Sequence, residues 1–142
     1  LLHRFVERGI AADRIDILPG TASPADHLHT YRRIDIALDP FPCNGTTTTC
    51  EALWMGVPVL TLPGARHSAR VTASLLTQIG LTEAIARDAA DYVHIAQSWA
   101  TAPERLATWR STLRQRLLDS PLGDAPAYAA RIEAAYAALL AD

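Results

Sequence analysis

Between Asp39 and Leu60 the chain runs Asp-Pro-Phe-Pro-Cys-Asn-Gly-Thr-Thr-Thr-Thr-Cys-Glu-Ala-Leu-Trp-Met-Gly-Val-Pro-Val-Leu. It reads as the end of an apolar strand, a loop of small residues, a helix and a second apolar strand. That succession restricts the fold, because two strands joined through a helix are parallel neighbours linked by a crossover. The same segment restricts the chemistry. Four consecutive threonines, Thr46 to Thr49, stand where the helix begins. One threonine caps a helix well, but four in a row are poor helix formers. A helix N-terminus offers unpaired N–H groups and the positive end of the macrodipole. Threonine hydroxyls add uncharged donors, and Gly45 leaves room for a ligand beside the backbone. The combination suits a phosphate or diphosphate.

Strand and helix periods alternate through the first ninety residues. Leu2, Phe5, Val6 and Ile10 form a helical stripe, and Ile15 to Gly20 is a short strand closed by Pro19-Gly20. Ser23 as N-cap and Pro24 at the first helical position open a helix that runs through His27, Leu28 and Tyr31. Ile34 to Leu38 is the next strand, Thr48 to Met55 a helix ended by Gly56, and Val57 to Leu62 a strand ended by Pro63-Gly64. Arg66 to Ile79 is a further helix with Gly80 after it, and Glu83 to Ala86 a short edge strand. The alternation predicts an α/β fold: a doubly wound, parallel, Rossmann-like sheet with helices on both faces. From Asp88 only helices follow, over 91–100, 103–118 and 124–140. Residues 1–87 therefore form the expected nucleotide-binding core, and 88–142 a set of C-terminal helices packed on it.

Composition narrows the function. A net charge of −2 leaves no basic surface for nucleic acid, and no apolar run reaches membrane-spanning length, so neither nucleic acid nor a membrane is an expected partner. Cys43 and Cys50 are the only two cysteines, too few for a zinc site. Their place on a proposed ligand loop points to reduced, cytoplasmic-type thiols. All thirteen basic residues are arginine, so chemistry that needs a lysine must draw it from outside this stretch. The chain opens mid-helix without Met and reads as a piece of something longer. It has no Gly-x-Gly-x-x-Gly, no Walker loop, no Gly-x-Ser-x-Gly and no His-Glu-x-x-His, which argues against standard dehydrogenases, P-loop NTPases, α/β-hydrolases and zincins.

In open α/β sheets ligands sit beyond the carboxyl ends of the strands. The loops on that edge are 19–23, 39–47 and 63–67. Thr46, Thr47 and Thr48 lie on the second. Glu51, one turn into the helix, suits a sugar diol as the acidic residue of dinucleotide folds does, and equally suits the helix dipole. His27 suits a base or a phosphate, although a lone histidine is more often a surface or packing residue. His67 is a weaker candidate, Arg70 a structural hydrogen-bonder, and Asp39 a brace for its loop. Trp54, Trp99 and Trp109 read as packing residues.

From about Arg14 to Tyr136 these residues resemble the C-terminal catalytic region of the protein O-linked N-acetylglucosamine transferase family, above all its bacterial tetratricopeptide-containing and plant SPINDLY-like members. The resemblance rests on Asp35-Ile36-Ala37-Leu38-Asp39, Cys43-Asn44-Gly45-Thr46-Thr47-Thr48, Ala52-Leu53-Trp54-Met55-Gly56-Val57-Pro58-Val59, Ser68-Ala69-Arg70-Val71-Thr72-Ala73-Ser74, and Ser120-Pro121-Leu122 before a tyrosine-bearing helix. It implies the C-terminal, donor-binding half of a GT-B glycosyltransferase. The N-terminal half, and tetratricopeptide repeats before it, would be partners within the parent chain.

Carried over to matching positions, the resemblance gives Thr47 and Thr48 the donor diphosphate, and Thr46 a place beside it where animal members have histidine. Glu51 stands for an aspartate that reaches the ribose, His27 for a histidine near the uracil, and Ala22 for a backbone contact to the base. Pro24 and Thr30 depart from basic nucleotide-contacting residues of animal members. The family's diphosphate-contacting lysine falls before residue 1. The implied reaction is inverting, metal-independent transfer of a sugar, N-acetylglucosamine from UDP-GlcNAc in the first instance, to a protein Ser/Thr hydroxyl. The UDP-sugar is a substrate, no cofactor is implied, and this stretch alone is expected to be inactive. UDP-Glc or GDP-Fuc as donor, or a non-catalytic binding module, are the alternatives.

Overall fold

The computed structural model describes residues 1–141. Its α-helices are α1 (Leu2–Val6), α2 (Pro24–Thr30), α3 (Thr47–Trp54), α4 (Val71–Gln78), α5 (Ala89–Ala100), α6 (Pro103–Leu118) and α7 (Ala125–Ala141). The strands are β1 (Ala37–Leu38) and β2 (Val59–Leu60). They pair in parallel, Ala37 opposite Val59 and Leu38 opposite Leu60. A single parallel bridge joins Thr61 to Ile85 on the far side of β2.

The sheet is therefore much smaller than the doubly wound one expected. Ile15 to Gly20 forms no strand: it makes no ladder hydrogen bond, and Ile17 and Leu18 stay exposed. The stretches 34–38 and 57–62 shrink to two paired residues each, and 83–86 begins as a 3₁₀ turn over Thr82–Ala84. Apolar runs carry strand propensity, but a strand is defined by a neighbour, and the described residues supply a ladder only along 37–39, 58–61 and 84–86.

The helices follow their sequence signals closely. Ser23 Oγ accepts from the Asp26 N–H at 3.1 Å, with Pro24 behind it at the first position of α2. Asp88 Oδ1 caps α5 at 2.8 Å and starts it two residues earlier than the apolar pattern indicates. The helix expected from Arg66 begins instead as a 3₁₀ turn over His67–Ala69. Arg70, with φ −130° and ψ 0°, interrupts it before α4.

The core lies between the short sheet, α3, α4, α5 and α6. Leu53, Val57, Leu60, Leu76, Leu81 and Leu113 are fully buried there. Trp99 meets Trp109 edge to face at 4.7 Å between ring centroids. Gly56 has φ +78°, and a Cβ there would overlap the Arg110 carbonyl, so only glycine lets α3 end against α6. Arg110 in turn donates to the carbonyls of Tyr31, Ile34 and Met55, tying α6 to the turn after α2 and the end of α3. Trp54 is not a core residue: it is partly exposed and carries the Arg114 guanidinium over its ring at 4.8 Å. α7 leaves Tyr128, Ile132, Tyr136 and Leu139 exposed along its apolar face. Among the described residues no helix is long and apolar enough to cross a membrane.

Candidate donor site at the N-terminus of α3

The loop that delivers the chain from β1 to α3 is held from both ends. Asp39 leaves β1 buried, its Oδ1 accepting from the Gly45 N–H at 2.9 Å and its Oδ2 from the Thr61 hydroxyl at 2.7 Å. Thr72 of α4, fully buried, donates to the Gly45 carbonyl at 3.1 Å and shares a hydrogen bond with the Thr49 hydroxyl at 3.0 Å. The Asn44 N–H reaches the Ser68 carbonyl at 2.8 Å. Gly45 is thus bound through both backbone groups by buried side chains. Its lack of a side chain serves packing: a Cβ would stand 2.5 Å from Thr48 Oγ1 and 2.8 Å from Thr49 Oγ1. The room at Gly45 is filled by the threonines themselves, which corrects the expectation that it is kept for a ligand.

With the loop fixed, the four threonines divide. Thr49 turns inward to Thr72, while Thr46, Thr47 and Thr48 are exposed. Thr46 occupies the N-cap with φ −122° and ψ −74°, and its hydroxyl does not cap the helix. Among the described residues the hydroxyls of Thr46, Thr47 and Thr48 make no hydrogen bond, and no side chain satisfies the first N–H groups of α3. A helix end with exposed donors and spare hydroxyls has the chemistry to receive an anion.

Glu51 and His27 meet across α3 and α2, with Nε2 of the imidazole 3.0 Å from Oε2 of the carboxylate. Both are partly exposed, at 41% for His27 and 29% for Glu51. Tyr31 joins them from beneath. Its buried ring packs edge-on against His27 at 5.6 Å, and its hydroxyl lies 3.2 Å from the Thr48 carbonyl and 3.5 Å from Glu51 Oε2. Burial, then the Glu51 carboxylate, raises the Tyr31 pKa and keeps the phenol protonated as a donor. Cys50 is also raised by burial and by Glu51, so its thiol is not activated.

The structure therefore brings Thr46, Thr47, Thr48, Glu51 and His27 to one end of α3. Ala22 lies exposed just before the cap of α2. Thr30 donates to the His27 carbonyl at 2.6 Å and is bound up within its own helix. His67 is exposed in the turn before α4. Arg70, expected to brace the structure, makes no side-chain hydrogen bond or ion pair among the described residues, whereas Asp39 does brace its loop. Sequence reasoning missed Tyr31, Thr61 and Thr72. Only Tyr31 left a usable signal, four positions after His27 and so on the same face of a helical turn.

The sequence profile of Glycosyl transferase family 41 matches residues 1–132. The chain belongs to this family. Among its family 41 relatives is the Arabidopsis thaliana protein named probable UDP-N-acetylglucosamine–peptide N-acetylglucosaminyltransferase SPINDLY. It is 40% identical over 135 residues, which is 95% of this chain and 15% of that protein. The Caenorhabditis elegans UDP-N-acetylglucosamine–peptide N-acetylglucosaminyltransferase is 33% identical over 123 residues, 87% of this chain and 11% of its own. A solved structure of a mutant Thermobaculum terrenum O-GlcNAc transferase superposes with a TM-score of 0.87 at 40% identity, covering 95% of this chain and 26% of that one. Nearly the whole of this chain therefore shares the fold of about a quarter of that O-GlcNAc transferase. This family 41 chain thus spans about a seventh of its curated plant relative, by the 15% coverage above.

Proposed function

We propose that this chain is the donor-binding part of a glycosyltransferase that moves a sugar from a nucleotide diphosphate to a Ser/Thr hydroxyl of a protein, with UDP-GlcNAc as donor. One observation carries the reading: α3 presents uncapped N–H groups and the free hydroxyls of Thr46, Thr47 and Thr48 beside the Glu51–His27 pair. The names of the family 41 relatives supply the sugar and the acceptor class.

In this reading the diphosphate lies at the α3 N-terminus and accepts hydrogen bonds from the N–H and hydroxyl groups of Thr47 and Thr48, with Thr46 at the rim. As the acceptor hydroxyl attacks the anomeric carbon with inversion, the bond to the diphosphate oxygen breaks and negative charge grows on the leaving group. The helix end, worth about half an elementary charge, and the fixed hydroxyls stabilise that charge where it develops. Glu51 Oε2 is held by His27, so Oε1 is left to accept from the ribose diol. His27 stands beside the base, with the backbone of Ala22 as a further contact to it. The general base and the lysine on the diphosphate come from the rest of the parent protein. The transfer needs no metal, and the parent's N-terminal half, its repeats and a protein acceptor are the partners.

One observation is shared by a second donor. Thr30 is bound to its own helix and Pro24 lacks a donor, so neither offers a charged contact to the nucleotide. A guanine nucleotide sugar such as GDP-Fuc fits that loss as well as UDP-GlcNAc does. The test is calorimetric titration of the full-length protein with UDP-GlcNAc, UDP-Glc and GDP-Fuc, each repeated on Thr47→Val/Thr48→Val. We expect UDP-GlcNAc to bind tightest and the double variant to weaken it at least tenfold. Tightest binding of GDP-Fuc overturns the UDP assignment, and unchanged binding by the double variant overturns the site.

A further inference from the structure

Resting on the donor-site reading above, we propose that Tyr31 is a positioning residue that sets Glu51 and the first turn of α3 for the nucleotide sugar. One side chain touches three parts of the site. Its hydroxyl lies 3.2 Å from the Thr48 carbonyl and 3.5 Å from Glu51 Oε2, and its ring meets the His27 imidazole at 86°. A phenol has one proton and donates to one acceptor at a time, and the nearer Thr48 carbonyl is the better placed. That bond holds the turn whose N–H groups and hydroxyls face the diphosphate. Turned to Glu51, the same proton joins the His27 bond in confining Oε2 and leaves Oε1 as the open acceptor.

Tyr31 is itself held rigidly. Its ring is buried in the core, and its backbone carbonyl accepts from Arg110 Nη1 at 3.1 Å. Arg110 also binds the carbonyls at the end of α3 and before β1. The phenol is thus referenced to the same scaffold as α3. A residue that only filled core volume would place its ring there without aiming the hydroxyl at two groups of the site.

The test is Tyr31→Phe in the full-length protein, which keeps the ring and removes only the O–H. Loss of one such hydrogen bond predicts a donor KM raised roughly three- to tenfold, with the acceptor KM unchanged. KM does not scale with the folded fraction, so a general loss of fold shows in kcat and not in this ratio. Two couplings separate positioning from packing. In a double-mutant cycle with Glu51→Gln, the combined penalty is smaller than the product of the two single ones. With a donor lacking the ribose 2′- and 3′-hydroxyls, the Tyr31→Phe effect shrinks but persists through the Thr48 contact. An unchanged donor KM, penalties that multiply, or an effect confined to kcat overturns the proposal. If Thr47→Val/Thr48→Val loses donor binding while Tyr31→Phe behaves as wild type, this inference alone fails. If the threonine variant binds donor normally, the donor-site reading fails with it.

Discussion

Asp39 is the group whose removal tests most sharply how the loop is held. Its two oxygens each receive one donor, the Gly45 N–H at 2.9 Å and the Thr61 hydroxyl at 2.7 Å, in a buried setting. Asp39→Ala leaves both donors without an acceptor. At about 1–3 kcal/mol for each buried group left unpaired, the loss is about 2–6 kcal/mol. Asp39→Asn keeps one oxygen for Gly45 and turns an NH₂ toward Thr61, whose hydroxyl rotates to accept it, so the cost falls to about 1 kcal/mol. A 1 kcal/mol change moves the midpoint by about 3–4 °C for a domain of this size, so alanine lowers Tm by on the order of 10 °C and asparagine by a few degrees. Differential scanning calorimetry of the three proteins gives the comparison, and donor titration should show alanine weakening binding more than asparagine. Equal effects of the two substitutions would refute the account, because they would mean that the hydrogen bonds to Gly45 and Thr61 are not what Asp39 supplies.

Two further outcomes follow from the same geometry. Gly45→Ala places a methyl 2.5 Å from Thr48 Oγ1 and 2.8 Å from Thr49 Oγ1, and should destabilise by about 1–3 kcal/mol while weakening donor binding, as read by urea unfolding and titration. Asp91 is held at a pKa of about 2, mainly by the side-chain hydrogen bond from Arg87 and also by its backbone N–H. A depressed carboxylate pKa adds stability above its unfolded value near 4, and that stability is lost as pH falls from about 4 to 2. Asp91→Asn should therefore flatten the stability profile in that window, and an unchanged slope in acid-denaturation curves would contradict the assignment.

How much of this was legible beforehand depends on whether the signal was local. The starts of α2 and α6 were readable because Pro24 and Pro103 mark first helical positions, and the beginning of α3 was readable because the run of four threonines ends a loop of small residues just before an apolar helical pattern. Strand length was not readable. Ile15 to Leu18 has the composition of a strand, yet whether it pairs depends on a neighbour elsewhere in the chain. The role of Gly45 was misread because a missing side chain looks the same whether a ligand or a threonine fills the space. Thr72 and Thr61 were invisible for the same reason: a buried threonine differs from a valine by one hydroxyl, and only its partners reveal that it is used. Arg70 was expected to bind and has no side-chain partner among the described residues, since charge alone does not say where a long side chain points.

The central claim, that the α3 N-terminus holds the diphosphate of a sugar nucleotide, is tested most directly by a crystal structure of the full-length protein soaked with UDP-GlcNAc. The account predicts diphosphate oxygens within hydrogen-bond distance, about 2.7–3.2 Å, of the Thr47 and Thr48 N–H and hydroxyl groups, with Glu51 Oε1 on the ribose. A donor bound elsewhere, with water against Thr47 and Thr48, would contradict it.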